Sequence, residues 1–145
     1  MKNFPHRYSV TANAVPQDSV ILSADGLPNI SSMPPIEFDG PGDQWSPESL
    51  LVASVADCFI FTFRAISRAS KLTWQNLECT ADGILEQIES RSRFTEFVVH
   101  ATLWIPNASD KDKAQRLLEK AEKVCLITNS LNADIILDAK VNTIE

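Results

Sequence analysis

Ser46-Pro47-Glu48-Ser49-Leu50-Leu51-Val52-Ala53-Ser54-Val55-Ala56-Asp57-Cys58-Phe59-Ile60-Phe61-Thr62-Phe63-Arg64-Ala65-Ile66-Ser67-Arg68-Ala69 is the most strongly patterned stretch of the chain. Ser46 suits an N-cap, Pro47 the first helical position, and Glu48 the electropositive first turn. Leu50, Leu51, Ser54, Val55, Cys58, Phe59, Ala65, Ile66 and Ala69 recur at helical spacing. Val52, Phe61 and Phe63 on the flanking positions are apolar as well. The pattern therefore predicts a central helix over about 47–70 with most of its surface buried.

On the C-terminal side, residues 73–105 read as a meander of three strands, Trp74–Ala81, Ile84–Ser90 and Phe94–Ile105. Turns are expected at Asp82-Gly83 and at Ser90-Arg91-Ser92. A second helix follows Pro106, with Ser109 and Asp112 spaced as a capping box. Ala114, Leu117, Leu118, Ala121, Val124 and Cys125 form its apolar stripe, Asn129 ends it, and Ala133–Val141 is a last strand. On the N-terminal side, Arg7–Ala12 and Ser19–Leu22 read as two strands around a turn at Pro16-Gln17-Asp18. Residues 25–47 are rich in Gly and Pro, with an extended piece at Ile36-Glu37-Phe38. The fold class is α+β, a long central helix packed on a mostly antiparallel sheet, in one domain over 1–145.

Composition narrows the function. The 145 residues carry a net charge of −6 and are 44% hydrophobic. An acidic chain is a poor partner for phosphate backbones or anionic membranes, so neither nucleic acid nor a membrane is expected. The greasiest run, Leu50–Phe63, is shorter than a bilayer span and holds Asp57. The N-terminus has no apolar signal stretch, which reads as cytoplasmic. Two histidines and no CxxC give no metal site, and no GxGxxG or GxxxxGK gives no nucleotide cofactor.

Three cysteines remain, Cys58, Cys79 and Cys125. An odd count in a reducing compartment is not a disulfide framework. Cys58 and Cys125 lie on apolar helix stripes, where a thiol is often an inert small hydrophobe. Cys79, in a strand, reads as structural. Trp45, Phe59, Phe61 and Phe63 gather near the first cysteine; Trp45 and Phe59 are candidate walls of an apolar substrate pocket, or simply core and interface packing.

The Ser46–Cys58 block, with Cys58 ten residues after Glu48, resembles the signature of the OsmC/Ohr family. Ala121-Glu122-Lys123-Val124-Cys125-Leu126-Ile127-Thr128-Asn129-Ser130-Leu131 resembles that family's second cysteine segment, with Leu126 where many members have proline. The resemblance implies an intertwined homodimer with its sites at the interface. It implies a thiol peroxidase acting on organic hydroperoxides or hydrogen peroxide, with Cys58 peroxidatic, Cys125 resolving and an external dithiol as reductant. It also implies that Glu48 orients an arginine that stabilises the thiolate. Residues 10–47 contain no Arg or Lys; Arg7 is the early candidate, and Arg64, six residues past Cys58, points about 120° away. Asp57 beside Cys58 opposes thiolate formation. On its own helix Glu48 is about 15 Å from Cys58 and can serve as a plain helix-start carboxylate. The missing arginine keeps a rival open, a non-catalytic dimer binding a small apolar ligand or acting as a redox sensor.

Overall fold

The computed structural model describes residues 2–144. The chain divides into two compact units, Met1–Leu50 and Leu51–Glu145.

In the first unit β1 (Thr11–Asn13), β2 (Val20–Ser23) and β3 (Ile30–Ser32) form an antiparallel sheet in the order β1-β2-β3. β1 and β2 flank the expected turn, where Asp18 takes a positive φ of 75°. β3 was not foreseen. The extended piece expected at Ile36–Phe38 is instead a single 3-10 turn. Its Phe38 N–H and the Gly40 N–H both donate to the Pro35 carbonyl, each at 2.9 Å. The close turn depends on Gly40, since a Cβ there would sit 1.6 Å from the Pro34 carbonyl oxygen. Pro34 and Pro35 preset the chain for this turn rather than for a strand.

α1 (Pro47–Ala69) begins where the sequence places it. The Ser49 N–H donates to Ser46 Oγ at 3.0 Å and the Ser46 N–H donates to Ser49 Oγ at 2.8 Å. This reciprocal box satisfies two helix-start donors and is worth about 1 kcal/mol. At the other end Lys71 turns left-handed (φ 56°) and the Leu72 N–H bonds back to the Ser67 carbonyl at 3.0 Å, a Schellman-type stop.

The expectation that most of α1 is buried does not hold within one chain. Its buried residues are Val55, Phe59, Phe63 and Ser67, a stripe at every fourth position. The second unit supplies one sheet, and a sheet covers one stripe. The helix also runs past the point where the apolar count stopped: its 23 residues are long and apolar enough to cross a membrane. Here that stripe is spent on the core of the second unit, with Phe97, Val99, Leu103, Ile105 and Leu118.

The second unit's sheet has the order β4-β5-β6, with β4 (Asn76–Ile88), β5 (Arg91–Ile105) and β6 (Asp134–Thr143). The expected three-strand meander is one hairpin: β4 runs straight through Asp82-Gly83, which pair with Val98 and Phe97. Gly83 serves packing, not turning; a Cβ there would meet Val52 Cγ2 at 2.8 Å and Phe94 Cε1 at 2.9 Å. The real turn is Glu89-Ser90, both at positive φ (51° and 67°), the two-residue hairpin geometry that suits strand twist. β6 pairs with β5 in parallel, from Glu96↔Asp134 to Ile105↔Thr143. The crossover between them carries α2 (Lys111–Val124) and α3 (Leu126–Asn129). The Ser109–Asp112 capping box does not form: residues 108–110 make a 3-10 turn, and α2 starts at Lys111 with no side-chain cap bond. α3 ends at Asn129 as expected, but the helix breaks at Cys125, which is extended (φ −63°, ψ 116°).

Candidate active site

Helical spacing turns Cys58 to the half-buried edge of the α1 stripe, one position before fully buried Phe59. Its Sγ lies 3.8 Å from Thr62 Oγ1, one turn on. Asp57 is exposed on the outer side of the same turn.

Cys125 is delivered by the helix break. Ala114, Leu118 and Ala121 bury one face of α2, and Cys125 continues that line four residues further as α2 ends. Its extended backbone makes it the N-cap residue of α3, whose Thr128 hydroxyl donates to the Cys125 carbonyl at 3.3 Å. The thiol is buried, with Cys58 among the groups that act on it. Burial raises its pKa most. The Thr128 N–H and hydroxyl pull it down, and the Cys58 sulfur pushes it up again, leaving it above the ordinary thiol value. Cys125 therefore holds its proton and presents a neutral S–H to Cys58.

Cys79 is the residue that sequence reasoning set aside. Strand alternation turns it inward with Leu77 and Ala81, and it packs against the core. Its thiol is pushed up to about 11, by burial first and by the neighbouring Cys125 second. The signal for it was the period-two pattern of β4, which the misplaced turn at Asp82-Gly83 obscured.

The remaining candidates separate. Glu48 sits in the first turn of α1; its Oε1 is buried and has no hydrogen-bond partner among the described residues. Trp45 is 53% exposed and belongs to the first unit, where its carbonyl accepts from the Met33 N–H at 2.9 Å. Phe59 is a core residue of the second unit. Arg64 lies over the Phe61 ring, 5.1 Å from its centroid. Arg7 is exposed in the first unit.

The α+β scaffold thus places a helix thiol and a crossover thiol near one another. A family model described as OsmC-like protein matches residues 40–140, and the chain belongs to that family. It is 27% identical over 112 residues to YmaD of Bacillus subtilis (strain 168), covering 74% of this chain and 75% of that protein. It is 28% identical over 135 residues to an organic hydroperoxide resistance protein of Xanthomonas axonopodis pv. citri, covering 90% and 93%. Among solved structures, an OsmC-like protein of unknown function from Vibrio cholerae superposes with a TM-score of 0.85 at 15% identity, over 93% of this chain and 99% of that one. The mixed α+β fold is that of OsmC-like proteins.

Proposed function

We propose that this chain is a cytoplasmic thiol peroxidase that reduces organic hydroperoxides or hydrogen peroxide as a homodimer. The observation that carries the reading is that the Cys58 thiol is near enough to Cys125 to push its pKa up. Similarity to an organic hydroperoxide resistance protein supports it.

The Cys58 thiolate attacks one peroxide oxygen and the O–O bond breaks. The other oxygen leaves as alkoxide, takes a proton and departs as alcohol, or as water from hydrogen peroxide. Cys58 is now a sulfenic acid. The Cys125 sulfur attacks it; the Cys125 proton leaves with the hydroxyl as water, and a Cys58–Cys125 disulfide remains. An external dithiol restores both thiols by exchange. Glu48 is the residue proposed to orient the activating cation; its Oε1 is buried without a hydrogen-bond partner among the described residues, which supports that role.

The lack of any Arg or Lys in residues 10–47, and Asp57 beside Cys58, favour a second reading, a non-catalytic dimer that binds a small apolar ligand or senses oxidation slowly. Intact mass after seconds with an organic hydroperoxide decides between them. The peroxidase loses two hydrogens in wild type, gains one oxygen in Cys125→Ser, and stays unchanged in Cys58→Ser. A reduced wild type that remains unmodified on that timescale would establish the second reading.

A further inference from the structure

Asp57, Phe61, Arg64, Ala65 and Arg68 of α1 are exposed. At about 100° per residue they fall within one arc of about 100° beside Phe61, opposite the buried stripe of Val55, Phe59, Phe63 and Ser67. Phe61 is 55% exposed, and the Arg64 guanidinium lies over its ring, which keeps that cation on the same face. Cys58 lies on one flank of the arc, about 60° from Phe61. Asp57 and Arg64 share the other flank, about 40° and about 60° from it. On their own helix they are about 10 Å apart along the axis, too far to pair with each other. The ion pairs among the described residues belong to His100, and neither Asp57 nor Arg64 takes part in them.

This face is complementary to itself. Asp57 precedes Phe61 by about 6 Å of helix rise, and Arg64 follows it by about 4.5 Å. When two such helices lie antiparallel about a twofold axis beside Phe61, the charged flank of one meets the charged flank of the other in reverse order. Each Asp57 then stands within about 1.5 Å, along the axis, of the level of the partner's Arg64. The two Phe61 rings meet between the two pairs and cover each other's exposed surface. A parallel arrangement would bring the charged flank against the neutral one, Asp57 against Cys58 and Arg64 against Ala65, and leave both charges unpaired. Charge therefore selects an antiparallel second copy as the cover of this face.

We propose that a second copy of this chain lays its α1 antiparallel across this face, centred on Phe61, and that the partner's Arg64 pairs with Asp57 beside Cys58. The inference rests on the homodimer and the Cys58 chemistry above and deepens them, because each copy contributes a residue to the other's thiol site. The Asp57 carboxylate opposes a thiolate on the adjoining residue. Paired with a guanidinium, it opposes it less. The nucleophile is then fully active only in the assembled dimer.

The test is a charge swap, read by sedimentation equilibrium and by alkylation of Cys58. Both positions are exposed, so the substitutions leave the core untouched. Arg64→Asp and Asp57→Arg each set like charges against one another twice per dimer and should weaken it about tenfold or more. The double variant restores both contacts with the signs exchanged and should recover most of the wild-type affinity. In Arg64→Gln, at a concentration where it is dimeric, iodoacetamide should need a higher pH to alkylate Cys58 than in wild type, as followed on the Cys58 peptide. Adding Asp57→Asn should bring that pH back down. A wild-type dimer that neither reversal weakens, or that the double variant fails to recover, overturns the pairing while the homodimer and peroxidase readings stand. A wild type that sediments as one chain overturns the homodimer and the pairing together, and the hydroperoxide mass shift still decides the peroxidase reading. A dimer that answers to charge with an unmoved Cys58 profile overturns the effect on the thiol.

Discussion

His100 holds two carboxylates at once on the sheet of the second unit. Its Nδ1 is 3.1 Å from Asp138 Oδ2 and its Nε2 is 3.1 Å from Asp82 Oδ2. With both ring nitrogens donating, the imidazolium is the form the site favours. The Asp138 bond raises the pKa most, desolvation opposes it, and Asp82 adds to the rise. A histidine raised in this way stabilises the folded state fully below its unfolded pKa of about 6.5, and the contribution is lost as pH rises through the folded value. Denaturant midpoints of wild type minus His100→Gln should fall across that window and level off above it. Asp138→Asn should remove more of the dependence than Asp82→Asn. A difference independent of pH between 5 and 9 would contradict the arrangement. Its place in a strand is legible in the sequence; its two partners, 18 and 38 residues away, depend on register. The thiols follow the same rule. Apolar spacing marked Cys58 and Cys125 as inward-facing, the family resemblance paired them, and the alternation that turns Cys79 inward was obscured by the turn expected at Asp82-Gly83.

At the scale of elements, β4 is the instructive case. Asp-Gly is a strong turn signal, and at Asp82-Gly83 it was overridden by pairing with β5 and by the approach of α1. Gly83→Ala tests this directly. Alanine suits a strand better than glycine, so a turn or an open position would tolerate it. Here the new methyl meets Val52 and Phe94, and a loss of about 1–3 kcal/mol is expected by urea denaturation. Adding Val52→Ala should recover part of that loss, a coupling that unrelated sites would not show. α1 was legible to within a residue because its start is chemical, a serine box with proline inside, and its period is strict. β3 was not, because it is set by pairing with β2 rather than by a local pattern; the 3-10 turn is held by local bonds to Pro35, where the proline signal outweighs the apolar run read as extended.

At the scale of the molecule, the exposure of α1 is the feature to explain. Phe61 is 55% exposed, and in the first unit Phe4 and Tyr8 are 81% and 87% exposed. So much aromatic surface is expensive to leave in water, which supports a second copy of the chain as its cover. Light scattering on the reduced protein should give a mass of about 32 kDa, twice the chain's 16.1 kDa; a mass of one chain at micromolar concentration would rule the homodimer out. The buried stripe of α1 was readable from the sequence. Its uncovered sides were not, since apolar spacing says that a face is hidden but not by which molecule.

The parallel pairing of β5 with β6 also orders events in time. β4 and β5 meet through a two-residue turn, whereas β6 finds β5 only after the whole helical crossover has been laid down. Contacts between distant parts of a chain form late. Cys125 rides on that crossover, 67 residues after Cys58. A newly made chain therefore passes through a period in which its nucleophile exists without its resolver. Peroxide met in that interval leaves a sulfenic acid with no thiol to condense with, open to irreversible oxidation. On the proposed chemistry, the protein is most vulnerable to its own substrate before it has finished folding.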